Sequence, residues 1–119
     1  MFETIGVFDE DYVRFFEDLD LIIRMRQAGY ETHFTRDISF VHIGEGTMSR
    51  CSGMFHYLRA RAAYVFMKKH CREQSREWQE RELSKVLAVN YHYLGRCANR
   101  TEVWNAIEAG IRAGQEFTV

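Results

Sequence analysis

The chain reads as an α+β domain, mainly helical, with two short strands and about four helices. Three observations lead there. Apolar residues recur at helical spacing over four separate stretches, which is the signature of amphipathic helices. Between the first and second of these lie two short runs rich in aromatic and β-branched residues, as strands are. The composition is 46% hydrophobic and 14% aromatic over 119 residues without a proline, enough apolar material for a folded core and too much for a disordered chain.

The elements follow in order. Ile5-Gly6-Val7-Phe8-Asp9-Glu10-Asp11 is a short apolar segment broken by a glycine and closed by an acidic turn. A helix is predicted from about Phe16 to Ala28: Phe15, Leu19, Ile22 and Ile23 take one face, and Glu17, Asp20, Arg24 and Gln27 the other. Gly29 suits a left-handed C-terminal cap, and Arg24 and Arg26 complement the negative end of the helix dipole. Tyr30 to Phe34 and Ile38 to His42 are the expected strands, followed by the glycine-containing loop Ile43-Gly44-Glu45-Gly46-Thr47. A second helix is expected from about Ser49 to His70 on Met54, Leu58, Arg61 and Val65, widened by Tyr57, Tyr64 and Phe66. A third runs from Arg76 to Cys97 on Leu83, Val86, Leu87, Asn90, Tyr91 and Leu94. The last starts at Asn99 or Thr101 and carries Val103, Trp104, Ile107 and Ile111. Both of these stripes read as core or oligomer contacts rather than ligand boxes.

Phe16-Glu17-Asp18-Leu19-Asp20 is the stretch with most chemistry. First-turn carboxylates cap free backbone N–H groups and complement the helix dipole, each contributing about 0.3–1 kcal/mol. Asp18 is also a candidate general base, with Glu17 or Asp20 helping to place a substrate. His42, where a strand is expected to meet a loop, is a candidate for a ligand or metal contact, although a lone histidine is more commonly structural.

Several function classes fall away on composition. A formal net charge of −1 supplies no basic stripe, which excludes an electrostatic nucleic-acid binder. Cys51, Cys71 and Cys97 are odd in number and lack Cys-x-x-Cys spacing, so free thiols in a reducing compartment are expected. No secretory signal pattern and no apolar run of about 18 residues is present, which points to a soluble, cytoplasmic chain.

The ordered set of Ile-Gly-x-Phe-Asp-Glu, Phe-Glu-Asp-x-Asp-Leu, Arg-x-Arg-x-Ala-Gly-Tyr and a segment ending in Val-His resembles the C-terminal half of the catalytic domain of family 2 glycosyltransferases. The likeness is greatest to the bacterial rhamnosyltransferase-like members. It continues through Tyr57-Leu58-x-Ala60-Arg61 and Phe66-Met67-Lys68-Lys69-His70, then Ala106-Ile107-Glu108-Ala109-Gly110-Ile111-Arg112-Ala113-Gly114, and so covers most of the chain. It implies the C-terminal portion of a GT-A (nucleotide-diphospho-sugar transferase, Rossmann-like) fold. Residues 1–48 would be the acceptor-side, base-bearing portion, and residues 49–119 a helical extension packed on it.

The resemblance implies roles residue by residue. Asp18 would take the proton from an acceptor hydroxyl as that oxygen attacks the anomeric carbon of a nucleotide sugar. Glu17 would support it, and Asp20 and Arg61 would contact substrate. His42 would help hold a divalent metal, Mg²⁺ or Mn²⁺, on the leaving diphosphate. Arg36 stands where relatives often carry Pro, and Ala62 stands where they carry Asn after the arginine. Neither an Asp-x-Asp-type motif nor the nucleotide-binding βα units occur, and Gly44-Glu45-Gly46 is too short and too acidic for a phosphate loop. The expectation is therefore half an enzyme, acting with a nucleotide-sugar donor and a glycan acceptor, inactive and metal-free alone. Open strand edges would favour a homo-oligomer or a partner chain. The basic run from Lys68 to Arg72 reads chiefly as dipole complement. Peripheral membrane association is the weaker expectation, kept because relatives act on lipid-linked acceptors. The competing reading is a non-catalytic helical assembly module.

Overall fold

The computed structural model describes residues 1–41 and 49–119, and these are built from helices alone. They are α1 (Phe2–Ile5), α2 (Glu17–Gln27), α3 (Gly53–His70), α4 (Arg76–Leu94) and α5 (Arg100–Glu116). The four long ones coincide closely with the periodic stretches. Gly29 takes φ 84°, the left-handed conformation expected of a residue just past a helix. Ser75 caps α4 by accepting the Trp78 N–H at 3.2 Å, and Gly95 follows its last turn.

The strands and the GT-A sheet are a correction. No strand occurs among the described residues, so the class is all-α. Of the two segments expected as strands, the described residues have no regular structure, and Phe34, Ile38, Phe40 and Val41 stand exposed in solvent. The physical reason is that strand propensity measures fit to a pleated, half-buried surface. A run of β-branched and aromatic residues forms a strand only where another backbone pairs with it and a core covers one face.

α3 is the central helix and α5 its main partner. Ala60, Ala62, Ala63 and Val65 of α3 are buried, as are Val103, Ile107, Gly110 and Gly114 of α5. The helices approach closely because glycine sits at the crossing: a Cβ on Gly110 would lie 2.4 Å from the Tyr57 carbonyl oxygen, and one on Gly114 would lie 2.5 Å from Tyr64 Cβ. The expected α3 stripe is partly displaced. Leu58 and Val65 are buried but Met54 is 56% exposed, and the α3 side chains that meet the α5 glycines are Ala60 and Tyr64.

The cysteine reading is also corrected. Cys51 and Cys97 form a disulfide that ties the approach to α3 to the turn between α4 and α5 across 46 residues. An odd count with irregular spacing does not exclude a bridge between distant positions. Closing such a loop typically stabilises by about 2–4 kcal/mol. Cys71 is free, and burial pushes its thiol pKa up.

The N-terminal turn is fixed by charge. Asp9 Oδ1 accepts the Asp11 N–H at 2.9 Å, and Lys69 of α3 donates to Asp9 at 2.6 Å and to Asp11. Burial works against both charges, but the Lys69 hydrogen bond, the Asp11 N–H and the Lys69 charge outweigh it and hold the Asp9 carboxyl below its ordinary value. Burial likewise opposes the Lys69 ammonium, and its bonds to Asp11 and Asp9 outweigh that and raise its pKa. A lowered acid contributes stability above the usual carboxylate value of about 3.9 and loses it as pH falls through the folded value. A raised lysine contributes below about 10.4 and loses it as pH rises through the folded value. Replacing Lys69 by Met is expected to cost about 1–2 kcal/mol at neutral pH, limited because Asp11 is 45% exposed, and to flatten the acid limb of the stability profile. Urea unfolding between pH 2 and 7 reads this. An acid limb of unchanged slope would show that the clamp is not what titrates.

Candidate functional site

The acidic stretch begins with a strained elbow. Phe15 and Phe16 have φ 70° and 67°, a conformation that costs a bulky L-residue of the order of 1–3 kcal/mol. Aromatic packing holds both. The Phe15 ring meets Phe55 edge-on at 5.1 Å between centroids, and Phe16 lies 5.2 Å from Phe66. Tyr12 seats the preceding residues against Ala62 and Val65 of α3. The elbow turns the chain directly into α2, so Glu17, Asp18 and Asp20 occupy its first turn, where Phe16 supplies no side-chain cap.

The three carboxylates meet different fates. Asp20 is 1% exposed; it accepts from Arg24 Nε at 2.8 Å and is hydrogen-bonded to His70 Nε2 at 2.7 Å. Arg24 in turn donates to the carbonyls of Ile5 and Val7, the latter at 2.7 Å. Asp20 is thus the node that fixes α2 to α3 and to the N-terminal segment. The expected Asp20–Arg24 pairing is present, but both carboxylate oxygens are engaged within the chain. Glu17 is half-buried, and its Oε2 is buried without a hydrogen-bond partner. Asp18 is exposed, with only its Oδ1 engaged, by the Leu19 N–H at 2.8 Å.

Arg61 does not join them. Its Nη1 donates to the Asp11 carbonyl at 2.6 Å and its guanidinium lies 5.7 Å from the Phe117 ring centroid, so it secures the N-terminal turn and the chain end. Ala62, where relatives carry an amide, is 2% exposed and packs in the apolar cluster of Tyr12 and Val65. His42 lies outside the described residues. Among the described residues no three His, Cys, Asp or Glu side chains assemble as a metal site. Asp9 and Asp11 are taken by Lys69.

Sequence reasoning missed the α3 side of this arrangement. Lys69 and His70 read as dipole complement, yet they bind Asp9, Asp11 and Asp20 from 50 or more residues away. The one signal was that they lie in the same ordered motif set. Arg59 was missed altogether: it lies beside Phe15, half-buried, and burial pushes its pKa down. Two open surface depressions lie elsewhere, one bordered by Leu94, Arg100, Thr101 and Trp104, the other by Arg26, Gly29, Tyr30, Glu31 and Thr32. No protein-family model, curated protein or solved structure matches this chain.

Proposed function

We propose that the chain is the acceptor-side, base-bearing part of an inverting glycosyltransferase, in which Asp18 takes the proton from an acceptor hydroxyl. The observation that carries the reading is the division of labour on the first turn of α2: Asp20 is buried as an anchor, while Asp18 stands exposed beside two phenylalanines in left-handed backbone. Strain of this kind persists where the surroundings enforce it, and it clusters at functional sites. The motif residues give further support, because they are bonded in two polar sets, Asp9, Asp11, Lys69 and Arg61 in one and Asp20, Arg24 and His70 in the other. As the carboxylate accepts the proton, the acceptor oxygen forms its bond to the anomeric carbon and the nucleotide diphosphate departs with the electron pair. Glu17 sits one residue away and orients. Donor sugar and divalent metal belong to a further segment or partner chain in this reading. None of the described helices is long and apolar enough to cross a membrane. The reading keeps a cytoplasmic setting, against which the Cys51–Cys97 bridge speaks, since disulfides persist mainly in oxidising compartments.

The test is an Asp18→Asn allele in the producing cells, with the glycan product quantified and the purified variant checked for native helicity. Loss of a placed base predicts a fall of about 10²–10⁴-fold in transfer rate with the fold retained. Wild-type output from a folded Asp18→Asn protein would sink the base assignment. That outcome would leave the assembly-module reading, which the exposed Phe34, Ile38, Phe40 and Val41 favour.

A further inference from the structure

We propose that Arg59 and Arg14, both against the Phe15 ring with Phe55 and Tyr93 nearby, form a binding site for a phosphoryl dianion on a small molecule or a lipid headgroup. The guanidinium carbons lie 5.9 Å and 5.7 Å from the Phe15 centroid, Phe55 packs edge-on against that ring, and Tyr93 lies 6.4 Å from Phe55. All five residues are half-buried, so the cluster is sheltered yet reachable.

Two independent observations point to a ligand. The first is an unanswered charge. Arg59 Nε is buried without a hydrogen-bond partner, and neither Arg59 nor Arg14 pairs with a carboxylate among the described residues. Buried cations normally find a partner inside the protein, as Arg24 and Lys69 do here. Burial lowers the Arg59 pKa, and no carboxylate among the described residues offsets it. The second is the elbow: Phe15 is held at φ 70°, and both guanidinium carbons lie within 6 Å of its ring centroid. Left-handed backbone at a bulky residue is retained where it serves a site.

Charge and geometry select the ligand class. Two guanidinia match an anion of charge about two, which a phosphomonoester carries near neutrality and a single carboxylate does not. The planar fork of arginine bonds phosphate oxygens in pairs. Tyr93 accepts from Arg50 Nη1 at 2.7 Å, which leaves its own O–H available as a donor. The aromatic faces suit a phosphate borne on an apolar or planar group.

The site stands apart from the transfer reading, and its test measures no turnover. Phenyl phosphate and benzoate are titrated into the intact chain by calorimetry, and vesicles with and without phosphatidic acid are tested by co-sedimentation. Phenyl phosphate is expected to bind at least about tenfold more tightly than benzoate. Arg59→Met should lower that affinity about tenfold or more without lowering the melting temperature, because it removes an unpaired half-buried charge. Arg14→Gln should weaken binding several-fold. Retention on phosphatidic acid vesicles alone, lost in Arg59→Met, supports the site with a lipid headgroup as its source. Equal affinity for benzoate, unchanged binding in Arg59→Met, or no binding of either probe or vesicle would overturn the proposal. Should Arg59→Met fail to fold, Arg59→Lys decides: reduced affinity supports the site, and unchanged affinity removes it.

Discussion

Asp20→Ala is expected to destabilise the protein by about 3–5 kcal/mol, the usual cost of removing one partner from a buried ionic cluster. The side chain is 1% exposed and joins three parts of the chain: Arg24 on its own helix, His70 at the end of α3 and, through Arg24, the carbonyls of Ile5 and Val7. Without it the Arg24 guanidinium keeps two neutral acceptors but loses its counter-charge, and His70 is left against the space vacated. Total stability for a domain of this size is about 5–15 kcal/mol, so the loss would take much of it. Asp18→Ala, one residue pair away on the same turn, removes only a local contact with the Leu19 N–H and should cost about 1 kcal/mol or less. Urea unfolding of the two variants separates an anchor from an exposed functional group. Equal midpoints for both would show that Asp20 does not hold the helices together.

That contrast marks how far the sequence was legible. Periodicity located α2 to α5, but not always the face that turns inward: in α2 Asp20 is buried while Leu19 and Ile22, expected on the apolar face, stand exposed. It assigned Glu17, Asp18 and Asp20 to a first turn, and spacing paired Asp20 with Arg24, one turn apart. It set Asp20 on the polar face and so missed that this carboxylate turns inward, since that depends on His70, fifty residues on. The strands failed for a similar reason: Phe34, Ile38 and Phe40 have strand-like chemistry, but pairing is a non-local property, and among the described residues no strand lies beside them. Cys51 and Cys97 likewise became a bridge only through the packing of α3 against the α4–α5 turn. Arg59 carried no local sign, as its lack of a counter-charge is defined by what surrounds it.

Gly110→Ala is the second large effect, expected to cost about 2–3 kcal/mol even though alanine improves helix propensity by about 1 kcal/mol. The new Cβ would lie 2.4 Å from the Tyr57 carbonyl oxygen and 3.0 Å from Ala60 Cβ. Backbone cannot rotate aside as a side chain can, so α5 must move off α3. Moving it opens the buried contacts of Val103 and Ile107, where both dispersion and burial fall away together. Gly29→Ala is the control: Gly29 has φ 84° but nothing within 4 Å of an added Cβ, so its cost is conformational and about 1 kcal/mol. α3 also carries Phe55, Phe66 and His70, the residues that seat the elbow and α2. Displacing its partner helix should therefore loosen Phe15 and Phe16, visible as faster amide exchange over Phe15 to Leu21 in Gly110→Ala. Exchange there that stays at the wild-type rate while the global midpoint falls would show that the crossing and the elbow are energetically separate.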